Sequence, residues 1–211
     1  LGMRWRGGTE LLALEPLPCG ALTLDSQEPP RDCAVELLQS GRLEGRELLA
    51  LLGFDLGSLP PGAELLYAGL ELVTADSRFA RPGGAWRVEA IALPSPSFSQ
   101  VLAAQPLAPA LIWRLEATEL APGRRLTLEL GEEARAFLSG WLLKGGSRLG
   151  FRVLGMGRDE GLVSWQARGQ SGPRLRLAYL DPRGTDRAPE GLVDWQAPSA
   201  APTPPSGSGL P

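Results

Sequence analysis

The chain has no histidine and no asparagine, a single lysine (Lys144) and two isoleucines (Ile91 and Ile112) in 211 residues. Without histidine there is no Ser-His-Asp or Cys-His nucleophile, no imidazole acid or base and no His-ligated zinc. Two cysteines are too few for a four-cysteine zinc site. The missing asparagine excludes N-linked glycosylation. Asparagine, lysine and isoleucine share A/T-rich codons, so their scarcity reads as a GC-rich source, and the loss of a heat-labile residue also fits a thermophile. No apolar run approaches the roughly 18 residues that a membrane-spanning helix needs. With 21 basic and 24 acidic residues the net charge is −3, which offers no basic surface to a nucleic-acid backbone.

What remains for catalysis is a pair of carboxylates of the glycosidase kind. The candidates, Glu132 with Glu133 and Asp159 with Glu160, are neighbours in sequence, and neighbours diverge on a strand or a helix alike. The chain is therefore expected to be non-enzymatic, with no cofactor and no metal.

Against these absences stand 27 glycines and 20 prolines, which break the sequence into short apolar stretches every eight to twelve positions. That punctuation is the signature of an all-β sandwich. Strands are expected at 11–15, 21–24, 33–38, 47–54, 64–73, 86–93, 110–116, 124–130, 148–154, 162–167 and 174–180. In RLTLEL, Leu126, Leu128 and Leu130 share one face and Arg125, Thr127 and Glu129 the other, so one side is buried and one wet. Arg174, Arg176 and Ala178 alternate in the same way with Leu175, Leu177 and Tyr179.

One segment has a different period. In GEEARAFLSGWLLKGG, Ala134, Phe137, Leu138 and Trp141 fall at helical spacing, with Glu132 and Glu133 in the first turn and Gly145 and Gly146 placed to end the helix. One short helix crossing the sandwich is expected. GMGRDEG at 155–161 lacks a phosphate-loop pattern and leads into a strand, so a hairpin connection is expected there.

Cys19 and Cys33 enclose a turn-rich loop. A bridge between them would be worth about 3 kcal/mol for a loop of roughly 15 residues; the alternative is two independent buried thiols. LGMRWRGG lacks the apolar core of a signal peptide, so either a signal has been removed or the chain is a fragment. An extracellular or cell-surface location goes with the disulfide. Of the six tryptophans, Trp86, Trp113 and Trp141 lie in patterned elements and read as core. Trp5 and Trp195, near the ends, are the candidates for a ligand-stacking role.

Past residue 180 the chain changes character. Residues 181–190 read as a linker, and 198–211 contain only Pro, Ser, Ala, Thr, Gly and Leu, a composition with no core of its own. Between them stands GLVDWQA at 191–197, six of whose seven letters repeat GLVSWQA at 161–167. In the second copy Val193, Trp195 and Ala197 share one face and Leu192 lies on the other, so it can form a strand like the first. It could be an extra edge strand on its own domain, a chance match, or a strand added to a neighbouring copy with Leu192, Val193, Trp195 and Ala197 as the docking residues.

LLGFDLGSLPPGAELLYAGLELV at 51–73 resembles the DNRLRE-type modules of bacteria and archaea: a strand ending in Phe-Asp-Leu, a Ser-Leu-Pro turn, a Gly-Ala and a second strand. LTLELGEEARAFLSGWLLKGGSRLGFRVL is similar to the family's strand, tryptophan-bearing helix and Gly-Phe strand, and GLVSWQARGQSGPRLRLAYL to its closing strands. The likeness runs from about Asp32 to Leu180. It departs from the usual text at GGSR after the helix and at SWQARG. The resemblance implies a secreted antiparallel jelly-roll β-sandwich of a class grouped with carbohydrate-binding modules. The expected layout is an N-terminal arm or strand at 1–18, the jelly roll at 19–180, then the linker, the repeated strand and the tail. The expected partners are other copies of the chain, or else polysaccharide.

Overall fold

A computed structural model describes residues 9–28, 35–77, 80, 83–93, 97–157 and 160–182. Among the described residues eleven strands follow one another: β1 (Thr9–Leu14), β2 (Ala21–Asp25), β3 (Leu37–Leu43), β4 (Arg46–Asp55), β5 (Glu64–Asp76), β6 (Ala85–Ala92), β7 (Ile112–Glu116), β8 (Arg125–Glu129), β9 (Arg148–Met156), β10 (Gly161–Gln166) and β11 (Arg174–Leu180). All pairings are antiparallel, in the order β1-β11-β5-β10-β3-β4-β9-β6-β7, with β8 on β5 and β2 on β4.

The order folds over at β5. Through Val73 this strand pairs with β11 and β8, and then Thr74 and Asp76 pair with β10. One layer is β1-β11-β5-β8; the other holds β10, β3, β4, β9, β6 and β7, with β2 beside β4. The result is an open antiparallel β-sandwich, as the alternation of RLTLEL and PRLRLAYL led one to expect.

Between the layers lies one continuous core, with Leu70, Leu126 and Leu175 from the first layer meeting Phe54, Phe151 and Trp165 from the second. Phe54 and Phe151 meet edge to face at 5.9 Å. A smaller cluster of Leu22, Leu24, Leu49, Leu51, Ile91, Val101 and Leu154 covers the outer face of the second layer. That double coverage explains why β4 reads LLALLGF, an unbroken apolar run, where a one-sided strand would alternate.

Among the described residues there are two α-helices where one helix was expected. α1 (Phe98–Ala103) supplies Val101 to the outer cluster and is capped by Ser97, whose hydroxyl accepts from the Gln100 N–H. Its six residues are too few to display a period clearly. α2 (Glu132–Leu143) is the expected helix. Ala134 and Leu138 are buried and Trp141 partly so, while Phe137 is 37% exposed. α2 also covers backbone that β8, pairing only with Gly69–Val73, leaves open on β5. The Leu65 N–H donates to Ser139 Oγ at 3.2 Å, and the Arg135 guanidinium donates to the Leu66 carbonyl.

β3 departs from the expected 33–38. It runs on to Leu43 and turns into β4 through Glu44 and Gly45, both at positive φ (52° and 74°), the geometry of a two-residue primed turn that follows strand twist. β1, expected as part of an N-terminal arm or strand, pairs along its whole length with β11.

Candidate functional site

The first copy of the repeated heptapeptide is β10, and its environment defines what a second copy would need. Trp165 is 1% exposed and donates its indole N–H to Ser40 Oγ at 2.9 Å. The Trp86 indole donates to the Ser40 carbonyl at 3.1 Å, so one buried serine anchors two tryptophans. The opposite side of β10 is covered as well, with Leu162 5% and Ser164 8% exposed.

The expected hairpin at 155–161 is not one. β9 lies between β4 and β6, and β10 between β3 and β5, so GMGRDEG arches across strands that intervene in the sheet. Close approach of three backbones explains the glycines. A Cβ on Gly41 (φ 129°) would stand 2.0 Å from the Gly161 carbonyl oxygen, and one on Gly155 would stand 2.7 Å from Gly41 Cα. The arch borders a cavity of about 150 Å³ lined by these glycines with Arg42, Glu47, Trp86, Met156 and Glu160. Among the described residues no group of three or more His, Cys, Asp or Glu side chains is placed to hold a metal.

The first layer carries an aromatic ring set among charged side chains. On its outer face Tyr67 lies over Gly69, where a Cβ would come within 2.6 Å of the phenol oxygen. Gly69 is flanked in register by Arg176 and Glu129. Glu71 pairs with Arg176 at 2.8 Å and with Arg125 at 3.6 Å. Burial raises the pKa of the Tyr67 phenol, the carboxylates of Glu129 and Glu71 raise it further, and Arg176 opposes them. The face combines a flat half-buried aromatic ring with carboxylates and guanidinium groups.

The two sides of this layer differ. On the β8 side Leu126 and Leu128 are buried, and the Trp113 indole of β7 donates to the Glu129 carbonyl at 3.3 Å, tying the two layers together. On the other side, among the described residues, β1 pairs with β11 alone. Leu12 and Leu14 point at the core yet are only partly buried, and Leu11, on the outer face, is 53% exposed. The inner face is held at one end by Tyr179, whose hydroxyl donates to Glu10 Oε2 at 2.6 Å.

Of the residues singled out in the sequence, Cys19 is disulfide-bonded and sits at φ 61° between β1 and β2. Its expected partner Cys33 lies outside the described residues, as do Trp5, Leu192, Val193, Trp195 and Ala197. Trp86 and Trp165 are core, and Trp113 and Trp141 pack against it. Glu132 and Glu133 are exposed on α2, and Glu160 is exposed at the arch.

One charged cluster had no sequence signal. Glu89 and Arg152, 1% and 4% exposed, form an ion pair on the outer face of the second layer, with Arg152 Nε 2.5 Å from Glu89 Oε2. Arg87 meets the other carboxylate oxygen at 2.6 Å, and Arg152 also donates to the Val101 and Leu102 carbonyls of α1. The two residues are 63 apart in the chain and meet only because β6 pairs with β9 in the register Glu89↔Arg152. One carboxylate is shared by two guanidinium groups, and through the Arg152 bonds to the Val101 and Leu102 carbonyls the cluster fastens α1 to the sheet.

No family model matches the chain, and no curated protein matches it. Among solved structures it is similar to Xylanase10C (mutant E385A) from Cellvibrio japonicus in complex with xylopentaose, at 9% identity and a TM-score of 0.36. The match covers 71% of this chain and 28% of that one, so the chain spans little more than a quarter of the protein it resembles. So distant a likeness carries no argument about activity.

Proposed function

We propose that the chain is a non-enzymatic, secreted structural subunit that joins copies of itself by strand addition into an extracellular fibre or layer. The observation that carries this reading is the edge of β1, which among the described residues pairs on one side only and leaves Leu11, Leu12 and Leu14 incompletely covered. An unpaired edge is a template for another chain, because its N–H and C=O groups point outward in strand register. A contact between an edge and a different part of the next subunit is heterologous and propagates unless its rotation closes a ring. The DNRLRE-type motifs and the cysteine pair support an extracellular setting. Electron microscopy and light scattering of the full chain test the proposal: assemblies that grow with concentration support it, and monomers throughout overturn it.

A second reading, attachment to polysaccharide, is favoured by the Tyr67 face. A flat phenol ring on a sheet suits a sugar ring, and the flanking Glu71, Glu129 and Arg176 suit its hydroxyls. In this reading Tyr67, rather than Trp5 or Trp195, is the stacking residue that the described part of the chain offers. Retardation in polysaccharide-containing gels that disappears in Tyr67→Ala, with no assembly in solution, would put this reading in place of the first.

A further inference from the structure

Resting on the self-assembly reading, we propose that the strand added to the β1 edge is the second heptapeptide, residues 191–197, of a neighbouring copy. The two copies of the heptapeptide differ at one position, and the structure shows what that difference means. Asp194 stands where the first copy has Ser164, which is 8% exposed and lies opposite Asp76 and Gln39 in the sheet. A carboxylate placed there would be largely buried and would stand in register opposite the Asp76 carboxylate, where the serine hydroxyl carries no charge to desolvate. The slot of β10 therefore rejects the second copy, and exchange of β10 between subunits is not the mode of joining.

An edge with one wet face accepts it. At β1 the inner face offers Leu12 and Leu14, half-covered, to Val193, Trp195 and Ala197. The outer face offers the exposed Leu11 to Leu192 and leaves Asp194 in water. The opposite edge lacks this room, because Leu126 and Leu128 are already buried and Trp113 closes over Glu129.

The path of the chain favours a neighbour. β11 ends at Leu180, in register with Thr9, so the chain leaves the sheet beside the start of β1. To lie antiparallel on its own β1, the segment would first have to travel back along the whole strand. To lie parallel, the linker would have to cross the chain entering β1 at Thr9, a crossing that folds avoid. A neighbour imposes neither constraint; the ten residues of 181–190 reach about 33–36 Å when extended, enough for either course, and the concentration dependence of assembly separates the two.

The test compares the full chain with Trp195→Ala, Leu11→Lys and Asp194→Ser by sedimentation velocity over a range of concentrations, with circular dichroism to verify folding. Trp195→Ala and Leu11→Lys should each raise the concentration for half-assembly roughly tenfold or more, since they remove a central anchor and its apolar neighbour. Asp194→Ser should leave it within about twofold, because a solvated carboxylate contributes little. If the native chain assembles and neither Trp195→Ala nor Leu11→Lys weakens it, this inference fails while self-assembly stands. Stronger assembly of Asp194→Ser would move the seat to the β10 slot and also overturn it. A native chain that stays monomeric removes both readings.

Discussion

Ser40→Ala should be among the most damaging single-atom changes in the molecule. Ser40 is fully buried, and its Oγ accepts the indole N–H of Trp165, itself 1% exposed, at 2.9 Å. Removing the oxygen leaves a buried donor with no partner, which costs about 1–3 kcal/mol, against the few tenths expected of a surface change. For a chain of this size that corresponds to a fall in Tm of about 2–4 °C per kcal/mol. The Trp86 indole bonds to the Ser40 main-chain carbonyl and keeps its partner, so the loss belongs to Trp165 alone. The assay is denaturant unfolding of native, Ser40→Ala, Trp165→Phe and the double variant. In the Trp165→Phe background the N–H is already gone and Ser40→Ala should cost much less, giving a coupling of about 0.5–3 kcal/mol. If Ser40→Ala costs less than about 0.5 kcal/mol, or costs the same in both backgrounds, the serine does not hold the tryptophan and the account of β10 is wrong.

Mass spectrometry of the alkylated, unreduced protein should find no free thiol and a Cys19–Cys33 bridge, and reduction should lower stability by about 2–5 kcal/mol. Arg152→Met should cost about 3–5 kcal/mol in denaturant unfolding, since it strips Glu89 of its buried partner and α1 of its donor, and a second change, Glu89→Leu, should restore part of the loss. The raised pKa of Tyr67 means that the folded state holds the phenol proton more tightly than the unfolded chain, whose tyrosines titrate near 10.0. Its contribution is therefore complete below that pH and lost as pH rises through the folded value, and Tyr67→Phe should flatten the alkaline decline of stability. Assays on polysaccharides should show no turnover, and turnover abolished by one Asp or Glu substitution would refute the non-enzymatic reading.

Much of the fold was legible because strand signals are local. Two-residue alternation in β8 and β11, the helical spacing of Ala134, Leu138 and Trp141, and the Ser-Leu-Pro turn each need only a few neighbouring residues to express themselves. The signal failed where the cause was not local. β3 outran its expected end because Gly41 lets the strand cross Gly155 and Gly161, and nothing near residue 41 announces that crossing. The glycine arch read as a hairpin because pairing partners are chosen in three dimensions.

The sequence by itself determined the fold class: short alternating strands broken by glycine and proline follow from composition and order alone. It also determined that one heptapeptide is written twice, with a single substitution between the copies. Only the tertiary structure decided that Ser164 lies on a covered face and that Leu12 and Leu14 of β1 are half-covered, because exposure belongs to the packed molecule and not to any stretch of its chain.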